Sequence, residues 1–387
     1  MRYVVAILAF LLCTGAQAQA VLKVGYISTM SGPLGGLGVE VRDGFNLGLK
    51  HSGGKFGGLE VKMFIGDDQA NGDVGRQLID RFVKGERVHL ITGVLASNVH
   101  VAVGPAAFAA RVPYVIPNGG PSQFAGEGCS PFLSSTAWQN DAYHEAAGQH
   151  ATNKGLKNVY LLAANYPAGQ DALKGFKRFY KGKVVSETYT KLGQLDYATE
   201  LAQIRAAKPE TLYVFLPGGM GISFIRQFVA SGLSKDVSLL LPGFSADQDT
   251  IPAVGDSLLG IFNSAHWAPD FDNAENKRFV EEFLKEYKRL PSSYAAQAYD
   301  AARLIDAAVR SLKGKVEDRA ALAKALRTAK YGSVRGSYSV NVNGYPVQDY
   351  FLRVVTKDTS GRITNRTMGK IFDNHKDAYY TACKKTS

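Results

Sequence analysis

Cysteine is scarce in this chain: only Cys13, Cys129 and Cys383 occur. Their spacing matches no metal-ligand pattern, so no metal site is expected. Long apolar runs are scarce too. Beyond Ala20 none approaches the length a helix needs to cross a bilayer, and the body of the chain reads as globular. Catalytic signatures are missing. The segment Gly32-Pro33-Leu34-Gly35-Gly36-Leu37-Gly38 lies where a nucleotide loop would sit, yet it fits neither Gly-x-Gly-x-x-Gly nor the phosphate loop with Gly-Lys-Ser/Thr. His144-Glu145 and His150 resemble a zinc helix, but the second histidine falls two positions too late for the one-face spacing. Ser52-Gly53-Gly54-Lys55 has Ser-x-x-Lys spacing but lies in a turn, and there is no Gly-x-Ser-x-Gly elbow. No catalytic residues and no cofactor are expected.

Acidic side chains are outnumbered, 34 against 45 lysines and arginines, for a formal charge of +11. The basic residues are scattered, and neither a basic helix nor an aromatic-basic ribonucleoprotein motif is present, so no nucleic-acid partner is expected. A basic surface does raise the encounter rate with small anions.

What is present begins at the N-terminus. Met1-Arg2 is basic, positions 4–13 are apolar, and Ala16-Gln17-Ala18 and Ala18-Gln19-Ala20 offer small-x-small cleavage sites. That three-part layout predicts a cleaved signal peptide at 1–20 and a periplasmic location; the alternative is a buried N-terminal helix. Cys13 is a poor lipoprotein cysteine because Leu12 precedes it. In an oxidising compartment the two remaining cysteines suggest one disulfide, Cys129–Cys383, the alternative being two free buried thiols.

The rest alternates strands and helices. Strands are expected at 22–28, 59–66, 88–92 and 113–116, with helices between them, and the pattern restarts after a helix at 140–153. Strands at 158–163, 183–189, 211–216, 237–241 and 260–265 follow, so the chain reads as an α/β protein with two doubly wound parallel sheets. The last third differs. It holds three long helical patterns at 275–289, 293–312 and 317–329, then a hairpin over 337–356 turning at Asn343-Gly344. Because this tail repeats neither half, the chain is expected to cross between lobes more than once, leaving a ligand cleft between them.

Two turns carry binding chemistry. Ser97-Asn98 opens a helix after the third strand, and a helix start with unpaired N–H groups attracts carboxylates. Pro117-Asn118-Gly119-Gly120-Pro121-Ser122 follows the next strand and offers accessible backbone. Both lie at carboxyl ends of strands, where open sheets bind ligands, although ordinary capping and turn formation accounts for them equally well.

The chain as a whole resembles the type I periplasmic solute-binding proteins of the branched-chain amino-acid transport class. The likeness rests on 24–33 (Val-Gly-Tyr-Ile-Ser-Thr-Met-Ser-Gly-Pro), Gly66-Asp67-Asp68-Gln69, 91–97 (Ile-Thr-Gly-Val-Leu-Ala-Ser), Leu195-Asp196-Tyr197 with Lys208-Pro209, and Gln297-Ala298-Tyr299-Asp300-Ala301. It implies two lobes joined by three crossovers that close on a ligand. They would span 21–135 with 268–330 and 136–267 with 331–387. A monomer carrying a small carboxylate to an inner-membrane ABC permease is the implied role, the alternatives being a branched-chain amino-acid binding protein and a ligand sensor of the same fold. By the same likeness Ser97, Asn98, Asn118, Gly119 and Gly120 hold the carboxylate, and Leu37 walls the pocket. Tyr166, Met220, Phe244, Trp267 and Gln297 complete the implied ligand set. One departure is informative. Amino-acid binders carry an acidic residue after the fifth strand of the second lobe, whereas this chain reads Pro242-Gly243-Phe244-Ser245. An unpaired ammonium in a closed cleft is costly, so the expected ligand is an aromatic acid lacking one, unless Asp247 takes the acidic role.

Overall fold

The computed structural model describes residues 21–384, and the leader expected at 1–20 lies outside the described residues. The chain runs β1 (Val21–Ser28), α1 (Gly35–His51), β2 (Lys55–Phe56), β3 (Leu59–Asp67), α2 (Gly72–Asp80), β4 (Leu90–Thr92), α3 (Ser97–Ala109), β5 (Tyr114–Ile116) and β6 (Leu133–Ser135). It continues through α4 (Asn140–Asn153), β7 (Asn158–Ala164), α5 (Pro167–Phe179), β8 (Lys183–Thr190), α6 (Ala198–Ala207), β9 (Thr211–Phe215), α7 (Gly219–Ala230), β10 (Ser238–Pro242), α8 (Ile251–Val254) and β11 (Phe262–Ala265). The last part holds α9 (Ala274–Tyr287), α10 (Ser293–Ser311), α11 (Arg319–Thr328), β12 (Ser339–Val340), β13 (Pro346–Lys357) and β14 (Ile363–His375).

The first sheet has the order β2-β3-β1-β4-β5-β6, and the second β12-β13-β11-β10-β9-β7-β8 with β14 on β13. β1 pairs in parallel with both β3 and β4, and β7 with both β8 and β9. At these switch points the following helices leave on opposite faces and open a crevice beyond the strand ends. Strands such as β7 read as unbroken apolar runs because helices cover both faces. Val159 to Ala164 are all buried.

Helix α10 packs along α1 and α11, returning the chain to the first sheet, and β12–β14 extend the second. The chain therefore crosses between lobes after β6, after β11 and after α11. Two buried arginines stitch these crossings. Arg335 donates to the carbonyls of Thr136 and Ala137 and pairs with Asp300 of α10 at 3.2 Å. Arg353 donates to the carbonyls of Trp267 and Gly243, 2.9 Å each, and pairs with Asp247. A third tie is covalent: Cys129 and Cys383 form the disulfide, with a Cα–Cα distance of 5.7 Å.

The structure differs from the expected elements in three places. The helix expected between the second and third strands is α-helical only to Asp80 and continues as a π-helical turn, Arg81–Gly85, with Phe82 buried. The Asn343-Gly344 turn forms, with Gly344 at φ +86° and its Cα against the carbonyl of Leu133, where a Cβ would come within 2.4 Å. Its outer strand, however, is only the two residues of β12, and the long partner of β13 is β14. That strand escapes the sequence pattern because its exposed edge carries Arg366, Gly369, Lys370, Asp373 and Asn374 without regular alternation. Both sheets are consequently mixed, with β2, β12, β13 and β14 antiparallel.

Candidate ligand-binding site

Between the two sheets lies a narrow cavity of about 30 Å³, lined by residues of both lobes. Its walls come from the carboxyl ends of β1, β4, β5, β7, β9 and β10, together with the starts of α4 and α10.

The first-lobe wall combines apolar Leu34, Leu37 and Leu95 with a set of hydrogen-bond donors. Helix α3 begins at the cavity with Ala96 as its N-cap and no side chain capping it. The amides of Val99 and His100 both donate to Ala96 O at 3.0 Å, so the preceding amides, Ser97 and Asn98, lie before the first helical bond. Ser97 was expected to cap this helix. It is instead the first helical residue, and its hydroxyl is free of capping. Ser97 Oγ accepts from Asn140 Nδ2 at 3.2 Å, which leaves its own proton available to a ligand. Beside it, Gly119 adopts φ +72°, and a Cβ there would come within 3.3 Å of Ser97 Oγ.

The turn that presents Gly119 is held from three sides. Asn118 Nδ2 donates to Leu95 O at 2.7 Å, Asn118 Oδ1 accepts from Gln297 Nε2 at 2.7 Å, and Asn118 O meets His100 Nε2 at 2.6 Å. Burial pushes the His100 pKa down to about 4, so the imidazole that fixes this turn is neutral.

The second-lobe wall is aromatic. Phe244 stacks on Trp138 with centroids 5.3 Å apart, and meets Phe215 edge-on at 5.2 Å. Tyr166 stacks on Phe215 at 6.1 Å, and Tyr294, contributed by α10 from the first lobe, lies 6.2 Å from Phe244. His144 is wedged beside Phe215 at 4.9 Å and bonded through Nδ1 to Tyr213 Oη. Helices α5 and α7 also begin here without side-chain caps, adding positive dipole ends from this side. The lobes meet at the mouth, where Gly218, at φ +62°, sits so close to Pro33 that a Cβ would come within 2.8 Å of Pro33 O.

No Asp, Glu, Lys or Arg lines the cavity. Two nearby carboxylates are engaged elsewhere. Asp171 accepts from the hydroxyl of Ser122 at 2.7 Å, from its amide at 3.0 Å and from Asn140 at 2.9 Å. Asp247, the candidate substitute for an ammonium partner, accepts from the Ser293 hydroxyl at 2.6 Å and pairs with Arg353, both fully buried. It does not take the acidic role in the cavity.

Of the residues expected from sequence, Leu37, Ser97, Asn118, Gly119, Tyr166 and Phe244 line the cavity, and five do not. Asn98 turns away to donate to Ala70 O at 2.6 Å. Gly120 is pressed against the carbonyl of Trp138, and its amide binds Asn140 Oδ1. Met220 is buried, its sulfur accepting from the Gly193 amide. Trp267 belongs to a separate core cluster with Phe279, and its indole N–H binds Asn276 at 2.7 Å. Gln297 acts one step back, through Asn118. Trp138, Asn140, His144, Phe215 and Tyr294 were not anticipated. Phe215 falls next to the end of an expected strand and Tyr294 next to the start of an expected helix, so both could have been found as strand-end and helix-start positions. His144 was visible only within a failed zinc pattern, and Asn140 only as the start of an expected helix.

A model of the periplasmic binding protein family matches residues 21–360. The Leu/Ile/Val-binding protein homolog 6 of Brucella melitensis is 28% identical over 373 residues, covering 93% of this chain and 94% of that protein. Among solved structures, an ABC-transporter solute-binding protein from Rhodopseudomonas palustris in complex with benzoate has a TM-score of 0.89 at 30% identity, covering 94% of this chain and 99% of its own. One from R. palustris BisB5 in complex with 3,4-dihydroxybenzoic acid has a TM-score of 0.87 at 29% identity, covering 93% and 99%. Two lobes joined by three crossings, with a cavity at both switch points and a family match over nearly all described residues, lead to one assignment: the chain belongs to the periplasmic binding protein family.

Proposed function

We propose that this protein is the periplasmic solute-binding component of an ABC importer, and that it captures a small aromatic carboxylate by closing its lobes. One observation carries the ligand class: a cavity with free donors on one wall, aromatic rings on the other, and no acidic side chain to receive an ammonium. Ser97 Oγ, the Ser97 and Gly119 amides and the positive end of α3 hold the acid group. Phe244, Trp138, Phe215 and Tyr166 pack on the ring. The benzoate-bound neighbour supports this reading.

The moving lobes are residues 21–135 with 268–330 and 136–267 with 331–387. The protein acts as a monomer, and its closed form docks on an inner-membrane permease. Among the described residues no helix is long and apolar enough to cross a membrane, which accords with a carrier that depends on such a partner.

The Brucella relative favours a second reading, a branched-chain amino-acid carrier. Thermal denaturation with benzoate, 3-phenylpropanoate and leucine separates the two, since a ligand that binds only the folded state raises its melting temperature. An upward shift with an aromatic acid and none with leucine is expected. The reverse pattern overturns the aromatic reading.

A further inference from the structure

We propose that the protein carries a second ligand site, remote from the cleft, that takes an aliphatic amphiphilic anion: a carboxylate on an apolar chain, of the medium-chain fatty acid type. The site is the groove between α11 and β12, and it does not depend on which ligand the cleft takes.

The groove holds about 810 Å³. That falls in the range of about 300–1,000 Å³ usual for small-molecule sites. Arg111, just before β5, and Pro131 and Phe132, just before β6, form one side. The groove therefore lies at the amino ends of these strands, the opposite end of the first sheet from the cleft. Helix α11 forms the other side through Ala320, Ala323, Lys324, Arg327 and Thr328. Their spacing of i, i+3, i+4, i+7 and i+8 makes one helical stripe, and its two alanines leave room that longer side chains would fill. Val340, Asn341 and Val342 close the groove from β12 and the turn after it.

Charge selects the head group. Arg111, Lys324 and Arg327 line the groove and no acidic residue does. Arg327 Nη2 donates to the carbonyls of Asn341, at 3.2 Å, and Val342, while its Nε and Nη1 have no acceptor among the described residues. Burial acts on this guanidinium unopposed and lowers its pKa from the ordinary arginine value. Arg178 is also partly buried, yet Asp141 and Glu145 beside it raise its pKa. A part-buried cation without a counter-ion is unfavourable, and a bound anion relieves it. Asn341 adds a side-chain Nδ2 without a partner to the same wall.

The apolar lining selects an aliphatic body. The one ring in the groove, Phe132, already carries the Arg111 guanidinium over its face at 5.4 Å. The rest is Pro131, the two alanines, Val340 and Val342, and Val342 is 44% exposed although apolar. A flexible chain covers such a surface, whereas an aromatic ring finds no free partner to stack on.

Calorimetric titration of the mature chain with decanoate tests this, with decanol as the uncharged analogue. Saturable decanoate binding is expected, about 10-fold or more tighter than decanol and weakening as salt is raised. Arg327→Gln should weaken decanoate about 10- to 100-fold, the size of losing a hydrogen bond to a charged group. Ala320→Trp fills the groove from an exposed helix position, keeps all three cations, and should abolish binding. Ser97→Ala should leave decanoate binding unchanged. No decanoate binding, equal binding of decanol, or an affinity that falls with Ser97→Ala but not with Ala320→Trp overturns the proposal. So does pelleting with phosphatidylglycerol vesicles without any response to free decanoate, which would make this face a membrane contact.

Discussion

The two walls of the cavity are built from different materials. The first-lobe wall sets uncharged donors, from Ser97, the Gly119 turn and the start of α3, among the apolar side chains of Leu34, Leu37 and Leu95. The second-lobe wall is a run of touching rings, Tyr166–Phe215–Phe244–Trp138, with His144 set into it. The difference divides the labour of recognition. Under the proposed function, backbone donors and a helix dipole would fix where the acid group goes and discriminate little among acids, whereas the rings would decide what is attached to it.

Substitutions on each wall should therefore fail differently. Gly119→Val has the largest expected effect. A β-branched residue at φ +72° is strained by about 1–3 kcal/mol, and its Cβ crowds Ser97 Oγ, so the affinity for every carboxylate should fall about 100-fold or more in calorimetry. Ser97→Ala comes next. Losing one hydrogen bond to a charged group costs about 1.5–3 kcal/mol, or roughly 10- to 100-fold, and benzoate and aliphatic acids should lose equally. If only aromatic acids lose affinity, the division between the walls is wrong. Phe244→Leu should do the reverse. It gives up ring-on-ring contacts worth about 0.5–1.5 kcal/mol, weakening aromatic acids severalfold and aliphatic acids hardly at all.

Between pH 5.5 and 8 the smallest effect is expected on binding, namely none. The one titratable imidazole in the cavity has its pKa pushed down to about 3, and no carboxylate or lysine faces the ligand. Stability should behave otherwise. Burial lowers His100 to about 4 and His144 to about 3, so below about pH 6.5 the unfolded chain takes up protons that the folded chain refuses. The melting temperature should be full above pH 6.5 and fall as the pH drops toward 4. Asp141, pushed up to about 6 by burial, acts in the opposite sense across the same window and reduces the fall.

The fold was largely legible in the sequence because its signals are local. Apolar runs bounded by glycine-rich turns mark β1, β4 and β7, and helical periodicity marks α9, α10 and α11. The place of Ser97 and Asn118-Gly119 in the cavity lining was legible for the same reason, since they occupy turns at predicted strand ends. What was missed depends on contacts distant in sequence. Trp267 looked like a pocket aromatic, but Asn276 and Phe279 draw it into another cluster. Met220 sits in the expected turn, yet the loop carrying Gly193 covers its sulfur. Asn140 gains meaning only because its amide reaches Ser97, 43 positions away, and Asp171, 31 positions away. His144 gains it because β9 brings Tyr213 to its ring. No one-dimensional pattern encodes such pairings.

The central claim is that a donor wall facing an aromatic wall, without a carboxylate between them, selects acids that lack an ammonium. Calorimetric titration of one protein sample with 3-phenylpropanoate and with L-phenylalanine tests it most directly, because the two differ only by the ammonium group. The account predicts saturable binding of 3-phenylpropanoate and at least about 100-fold weaker binding of phenylalanine, from the cost of burying an unpaired charge. Phenylalanine binding as tightly as 3-phenylpropanoate, or more tightly, would contradict it.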